Sequence, residues 1–173
     1  IMWVIKYEDE KNLIKVRQIL NLPEDFRKQF FNKVSMCDDA TLAEGAGRYT
    51  SDSNEVRDCI QTAVVQLGFM RDKAIEKILK GGENEISFGN LKRKKKTVYL
   101  IIPPELLHTH GKFLRLIVLS ALGELLREKT LPDEPILFML DEFAQLGHMA
   151  LIENAANIVR DYKIRLWIIL QNI

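Results

Sequence analysis

Cysteine is scarce in this sequence: Cys37 and Cys59 are the only two among 173 residues. They are too few and too far apart for a disulfide framework or a Cys-x-x-Cys metal site, and they read as reduced thiols. Histidine is nearly as rare. His108 and His110 stand as His-Thr-His and His148 follows a glycine, a set without the Cys/His/Asp spacing that zinc requires, so any bound metal is expected to be hard and oxygen-ligated. Net charge is almost absent, since 25 Lys and Arg against 24 Asp and Glu leave +1. Nucleic-acid affinity would therefore have to come from a local patch. No apolar run approaches the roughly 20 residues that span a bilayer, and no signal peptide opens the chain, so these residues alone describe a soluble, cytosol-facing module. Also missing is the phosphate cradle G-x-x-x-x-G-K-[ST]. The Gly111-Lys112 pair is followed by Phe113, and the position five before Gly111 is Leu106.

What is present is 47% apolar and 28% charged, the balance of a folded protein with one sizeable core or two small ones. The first residue is Ile1 rather than Met, and Ile173 follows closely on an apolar run. The expectation is a piece of a longer protein.

The first ninety or so residues carry helical periodicity. Leu13, Val16 and Leu20 recur at helical spacing, as do Phe26, Phe30 and Val34, with Asn21-Leu22-Pro23 between the two sets. Residues 38–54 contain Gly45, Gly47 and a Thr/Ser/Asp cluster, which predicts at least partial loop. Asp52-x-x-Glu55 then resembles a capping box. Val56, Ile60, Val64 and Leu67 continue the pattern, and Ile75, Ile78 and Leu79 extend it to the Gly81-Gly82 stop. A helical bundle is expected.

After Lys96 the pattern changes. Val98-Tyr99-Leu100-Ile101-Ile102, Ile136-Leu137-Phe138-Met139-Leu140 and Leu166-Trp167-Ile168-Ile169-Leu170 are apolar runs suited to strands buried on both faces. Helical stripes separate them, Phe113 to Leu125 and Leu151 to Val159. The order β-α-β-α-β predicts a parallel sheet covered on both faces, with the boundary between about Asn84 and Lys96.

The second run feeds directly into Asp141-Glu142. Ligands of parallel α/β sheets bind beyond the carboxyl ends of the strands, where these two acids emerge. This is a Walker B pattern: the first carboxylate holds magnesium against a triphosphate and the second polarises the attacking water. Gln171, after the third run, either orients that water or simply begins a loop. Because the phosphate cradle is missing, either it lies outside these residues or the carboxylates serve another purpose. Lys92-Arg93-Lys94-Lys95-Lys96 is the single basic run, readable as a phosphate contact or as a solvated turn.

Several blocks together resemble a known family: Thr97-Val98-Tyr99-Leu100-Ile101-Ile102-Pro103-Pro104, Leu114-Arg115-Leu116-Ile117, Leu140-Asp141-Glu142-Phe143-Ala144-Gln145-Leu146-Gly147-His148, and Leu166-Trp167-Ile168-Ile169-Leu170-Gln171. They are similar to the coupling ATPases of type IV secretion and conjugation systems, the TraG-like coupling proteins. Gly47-Arg48-Tyr49-Thr50-Ser51-Asp52-Ser53 resembles part of that family's all-α domain. The resemblance implies an α/β fold, with an all-α domain over residues 1–90 and part of a RecA-like nucleotide-binding domain over 91–173. It implies a hexameric motor using ATP and Mg2+ at the cytoplasmic face of the bacterial inner membrane. Its partners would be other type IV secretion components and cargo, either relaxase-bound DNA or effector proteins. Asp141 resembles the magnesium carboxylate and, with Glu142, the nucleotide-binding pair. Glu142 resembles the catalytic acid, Gln171 the glutamine after the next strand, and Arg160 an arginine acting across the subunit interface. Two other readings remain: a non-catalytic adaptor whose helical half binds cargo, and an unrelated α/β enzyme using both acids for a metal.

Overall fold

A computed structural model describes residues 1–81, 86–141 and 159–169. The chain forms two compact units, Ile1–Asn84 and Glu85–Ile173.

The first unit is helical: α1 (Met2–Tyr7), α2 (Leu13–Leu20), α3 (Glu24–Ser35), α4 (Ala40–Gly47), α5 (Asn54–Gln66) and α6 (Lys73–Lys80). Side-chain caps start four of them. Asn12 accepts from Lys15 N, Asp39 from Thr41 N and Leu42 N, Ser53 from Val56 N, and Asp72 from Ala74 N and Ile75 N, each satisfying amides that the first turn leaves unpaired. Ser53, rather than the expected Asp52, is therefore the cap of α5. Helix α6 ends at Gly81, whose φ of 75° is a conformation that glycine adopts without steric cost.

Residues 38–54 are partly loop, as expected; within them 40–47 form α4, because the Asp39 cap fixes the start and Leu42 and Ala46, one turn apart, are buried with Val34 of α3. Neither Gly45 nor Gly47 is in a conformation or contact that demands glycine; they weaken the helix without breaking it. The most deeply buried residues of α2 are Ile14 and Ile19 rather than the expected Leu13, Val16 and Leu20. This short helix packs against both α5 and α6, so no single stripe describes its burial.

The second unit is built on α7 (Pro104–Arg127), which starts with proline at its first position, where the missing N–H costs nothing. Its inner face, Val118, Leu122 and Leu125, forms one core with Leu140, Val159 and Ile164. Strands β1 (Ile136–Leu140) and β2 (Ile164–Ile168) are parallel, with Ile136 opposite Ile164 and Leu140 opposite Ile168. β2 thus begins two residues earlier than the apolar run suggested.

Residues 98–102 form no strand. Tyr99 is 79% and Ile101 86% exposed, and no described neighbour pairs with this segment. Among the described residues the sheet is packed on one face: Phe138, Leu140, Ile164 and Leu166 point to the core, while Leu137, Met139 and Trp167 on the other face are exposed. Among the described residues, the architecture is mostly helical with a small two-stranded parallel sheet, which is consistent with an α/β class.

Candidate functional site

The ladder continues one residue past the end of β2, as Ile169 N donates to O of Leu140, the last residue of β1, at 3.0 Å. That bond places Asp141 level with Ile169 at the carboxyl edge of the pair, where a parallel sheet presents its ligand-binding residues. Asp141 is exposed there, and its oxygens suit a hard, partly hydrated cation. Glu142 and Gln171 lie outside the described residues. So does most of the Leu151–Val159 helical stripe, and His148.

Arg160 is brought to the opposite end. It sits on the 3-10 turn Val159–Tyr162 that leads into β2, and a five-residue strand separates the two ends by roughly 13–17 Å. Within one chain, Arg160 and Asp141 therefore do not share a site.

One residue of the basic run is turned inward, and the other four are exposed. Lys92, only 5% exposed, is the one buried charged side chain among the described residues. Its Nζ donates to Glu128 O at the end of α7 and lies 5.2 Å from the Tyr162 ring centroid. Burial pushes this ammonium below its ordinary pKa, against the raising effect of the Glu128 charge. Arg93 pairs with Glu128 at 3.0 Å and Lys95 with Glu134 at 2.7 Å. Lys94 and Lys96 are exposed without an ion pair among the described residues, and the pairs of Arg93 and Lys95 are exposed surface contacts of little strength, so Lys92 is the one cation of the run withdrawn from phosphates.

Sequence reasoning missed a carboxylate clip on α7. Glu124 accepts from Ser87 Oγ at 2.8 Å, Phe88 N at 3.1 Å and Gly89 N at 2.9 Å, tying the 3-10 turn Phe88–Lys92 to the helix. A Cβ on Gly89 would come within 3.1 Å of Glu124 Oε1, so a larger residue would push the carboxylate back by a few tenths of an ångström. The available signal was a glutamate flanked by the apolar positions Leu122 and Leu125. Burial raises the Glu124 pKa, but the Gly89, Ser87 and Phe88 donors and the Arg127 charge outweigh it and hold the carboxyl below its usual range.

Glu124→Gln is expected to destabilise the second unit by about 1–2 kcal/mol, because one amide oxygen replaces a carboxylate that served three donors. A depressed folded-state pKa contributes stability above the unfolded value and loses it as pH falls through the folded one. Urea unfolding should therefore show the largest gap between wild type and variant at neutral pH, narrowing in acid. A gap that stays constant in acid would assign the effect to shape alone.

No group of three or more His, Cys, Asp or Glu among the described residues is arranged to hold a metal. Cys37 is half-buried and Cys59 exposed, and both are free thiols. Among the described residues, no helix is long and apolar enough to cross a membrane.

A family model described as "Type IV secretory system Conjugative DNA transfer" matches residues 9–173. The chain belongs to this conjugative DNA transfer family. The resemblance to coupling proteins read from the motifs is thereby borne out, and the match takes in nearly all of the helical unit as well as the α/β one. Protein VirD4 of Rhizobium radiobacter is 34% identical over 92 residues, covering 52% of this chain and 13% of that protein. Protein VirD4 of Agrobacterium fabrum (strain C58 / ATCC 33970) is 34% identical over 92 residues, with 14% of its length covered. The chain thus spans about one seventh of the curated relatives it matches. No solved structure matches it significantly.

Proposed function

We propose that residues 1–90 form the all-α domain and residues 91–173 part of the RecA-like nucleotide-binding domain of an ATP-driven type IV secretion coupling protein. The observation that carries this reading is Asp141 at the carboxyl end of an apolar strand in a parallel pair, the placement that nucleotide-binding sheets use for their metal carboxylate.

Asp141 would hold Mg2+, which takes one or two carboxylates together with substrate phosphates and water. When bound, the ion neutralises charge on the β- and γ-phosphate oxygens. Glu142 would accept a proton from the attacking water, and Gln171 would orient that water. Arg160, at the far end of β2, is assigned a role only across a subunit interface of a hexamer. The phosphate cradle would come from polypeptide beyond these 173 residues. The assembly is placed at the cytoplasmic face of the bacterial inner membrane, delivering relaxase-bound DNA or effector proteins to the other components of the secretion system.

The test is Mg2+-dependent ATP hydrolysis by the full-length protein, measured as phosphate release, alongside calorimetric titration of the 173-residue chain with ATP and Mg2+. Hydrolysis by the full-length protein and weak or absent binding by the chain alone are expected. A full-length protein that binds cargo without hydrolysing ATP would overturn this reading in favour of a non-catalytic adaptor. Tight binding by the chain alone would mean that it forms a phosphate cradle of another kind.

A further inference from the structure

The alignment of β1 with β2 is poorly specified by their side chains. In a strand pair with one polar face, a slip of one residue buries polar groups and is penalised. Here both faces of the pair are apolar except for Arg165, with Ile136, Phe138, Leu140, Ile164 and Leu166 inward and Leu137, Met139, Arg165 and Trp167 outward. A one-residue slip of β2 would turn Arg165 inward, but a two-residue slip would keep the inward set inward. Hydrophobic burial alone therefore permits registers two residues apart.

Two lysines act on the turn that starts β2. Lys92 reaches from the 3-10 turn Phe88–Lys92, donates to Glu128 O and sits over the Tyr162 ring. Lys163 adopts a left-handed φ of 55°, and its Nζ donates to Pro132 O at 3.1 Å. Its own carbonyl accepts from Ile136 N at 2.9 Å, the first rung of the ladder. Both contacts tie the turn Val159–Tyr162 and the following Lys163 to the segment between α7 and β1. They fix where β2 begins relative to β1, and five residues later where Ile169 lies relative to Asp141.

We propose that Lys92 and Lys163 form a register lock for the parallel pair and are positioning residues for Asp141. The consequence for turnover rests on the nucleotide reading above; the consequence for strand alignment does not.

In the full-length protein, the double variant Lys92→Met and Lys163→Met removes both ammonium groups while keeping unbranched stems. Hydrogen exchange read by mass spectrometry on peptides spanning β2 should speed up by about tenfold or more, as cross-strand bonds open without global unfolding. The Mg2+ concentration for half-maximal hydrolysis should rise by about tenfold, the scale of losing a group that orients a metal ligand, with ATP affinity unchanged within about twofold. Lys92→Arg, which keeps a cation over the ring, should restore most of both effects when combined with native Lys163. It also remains informative if the double variant fails to fold. Unchanged exchange across β2 would overturn the lock. Faster exchange with unchanged Mg2+ dependence would overturn the positioning role. Normal hydrolysis by Glu142→Gln would sink the nucleotide reading instead, leaving the exchange result to judge the lock alone.

Discussion

In the full-length protein, Glu142→Gln is expected to bind ATP within about threefold of wild type while hydrolysis falls by about a thousandfold, the middle of the range for losing a general base. The amide has the size of the carboxylate but neither its charge nor its basicity, so it cannot take a proton from water. Nucleotide affinity should survive because it comes chiefly from the phosphate cradle and from the cation that Asp141 would hold. Separate measurements of fluorescent-nucleotide binding and phosphate release read the two quantities. Normal release would refute the role given to Glu142, and loss of binding in parallel with turnover would make it a ligand of the nucleotide rather than a base. The size of the expected effect follows from chemistry, whereas the position follows from the fold: Glu142 directly succeeds Asp141, which β1 delivers to the carboxyl edge of the pair.

That delivery was legible in the sequence because β1 combines two local signals, an all-apolar run and an abrupt change to acids. The inner face of α7 was equally legible, since Phe113, Val118, Ala121, Leu122 and Leu125 are spaced for one side of a helix and are buried as spaced. The run at 98–102 is as apolar as β1, yet it forms no strand and Tyr99, Leu100 and Ile101 are exposed. Apolar content states that a segment gains by being covered; it does not supply the strand that covers it. A strand also needs hydrogen-bonding neighbours, which no described residue offers to this segment.

Other outcomes have equally local causes. Within the partly looped span 38–54, the glycine cost of about 1 kcal/mol each is outweighed over residues 40–47 by the Asp39 cap and the burial of Leu42 and Ala46. The lysine run looked uniform along the chain. Tertiary placement divides it, putting Lys92 under Tyr162 and leaving Lys94 and Lys96 in solvent. Nothing within five consecutive basic residues distinguishes the buried one. For the candidate site, Asp141 was legible as a strand-end carboxylate. The separation of Arg160 from it was legible too, because Arg160 precedes the third apolar run and a parallel sheet puts that end opposite the carboxyl edge.

Leu125→Ala should be the most destabilising single truncation in the second unit, at about 3 kcal/mol from lost burial plus the cavity left behind. Leu125 is 0% exposed and belongs to the core that joins α7 to Leu140 of β1, Val159 of the turn and Ile164 of β2. Removing its side chain therefore leaves a hole where α7, β1, the turn and β2 meet, which helix α7 cannot close without shifting against the sheet. With a slope of about 1–3 kcal/mol/M for a small unit in urea, the unfolding midpoint should fall by roughly 1–3 M. Leu137→Ser is the matched contrast, because Leu137 lies on the exposed face of β1 and should cost less than about 0.5 kcal/mol. The chain has one tryptophan in each unit, Trp3 and Trp167, so a Trp3→Phe background lets fluorescence follow the second unit alone. Equal losses from the two leucine variants would mean that the outer face of the sheet is covered in solution, and that α7 is not the only element on which this pair of strands depends.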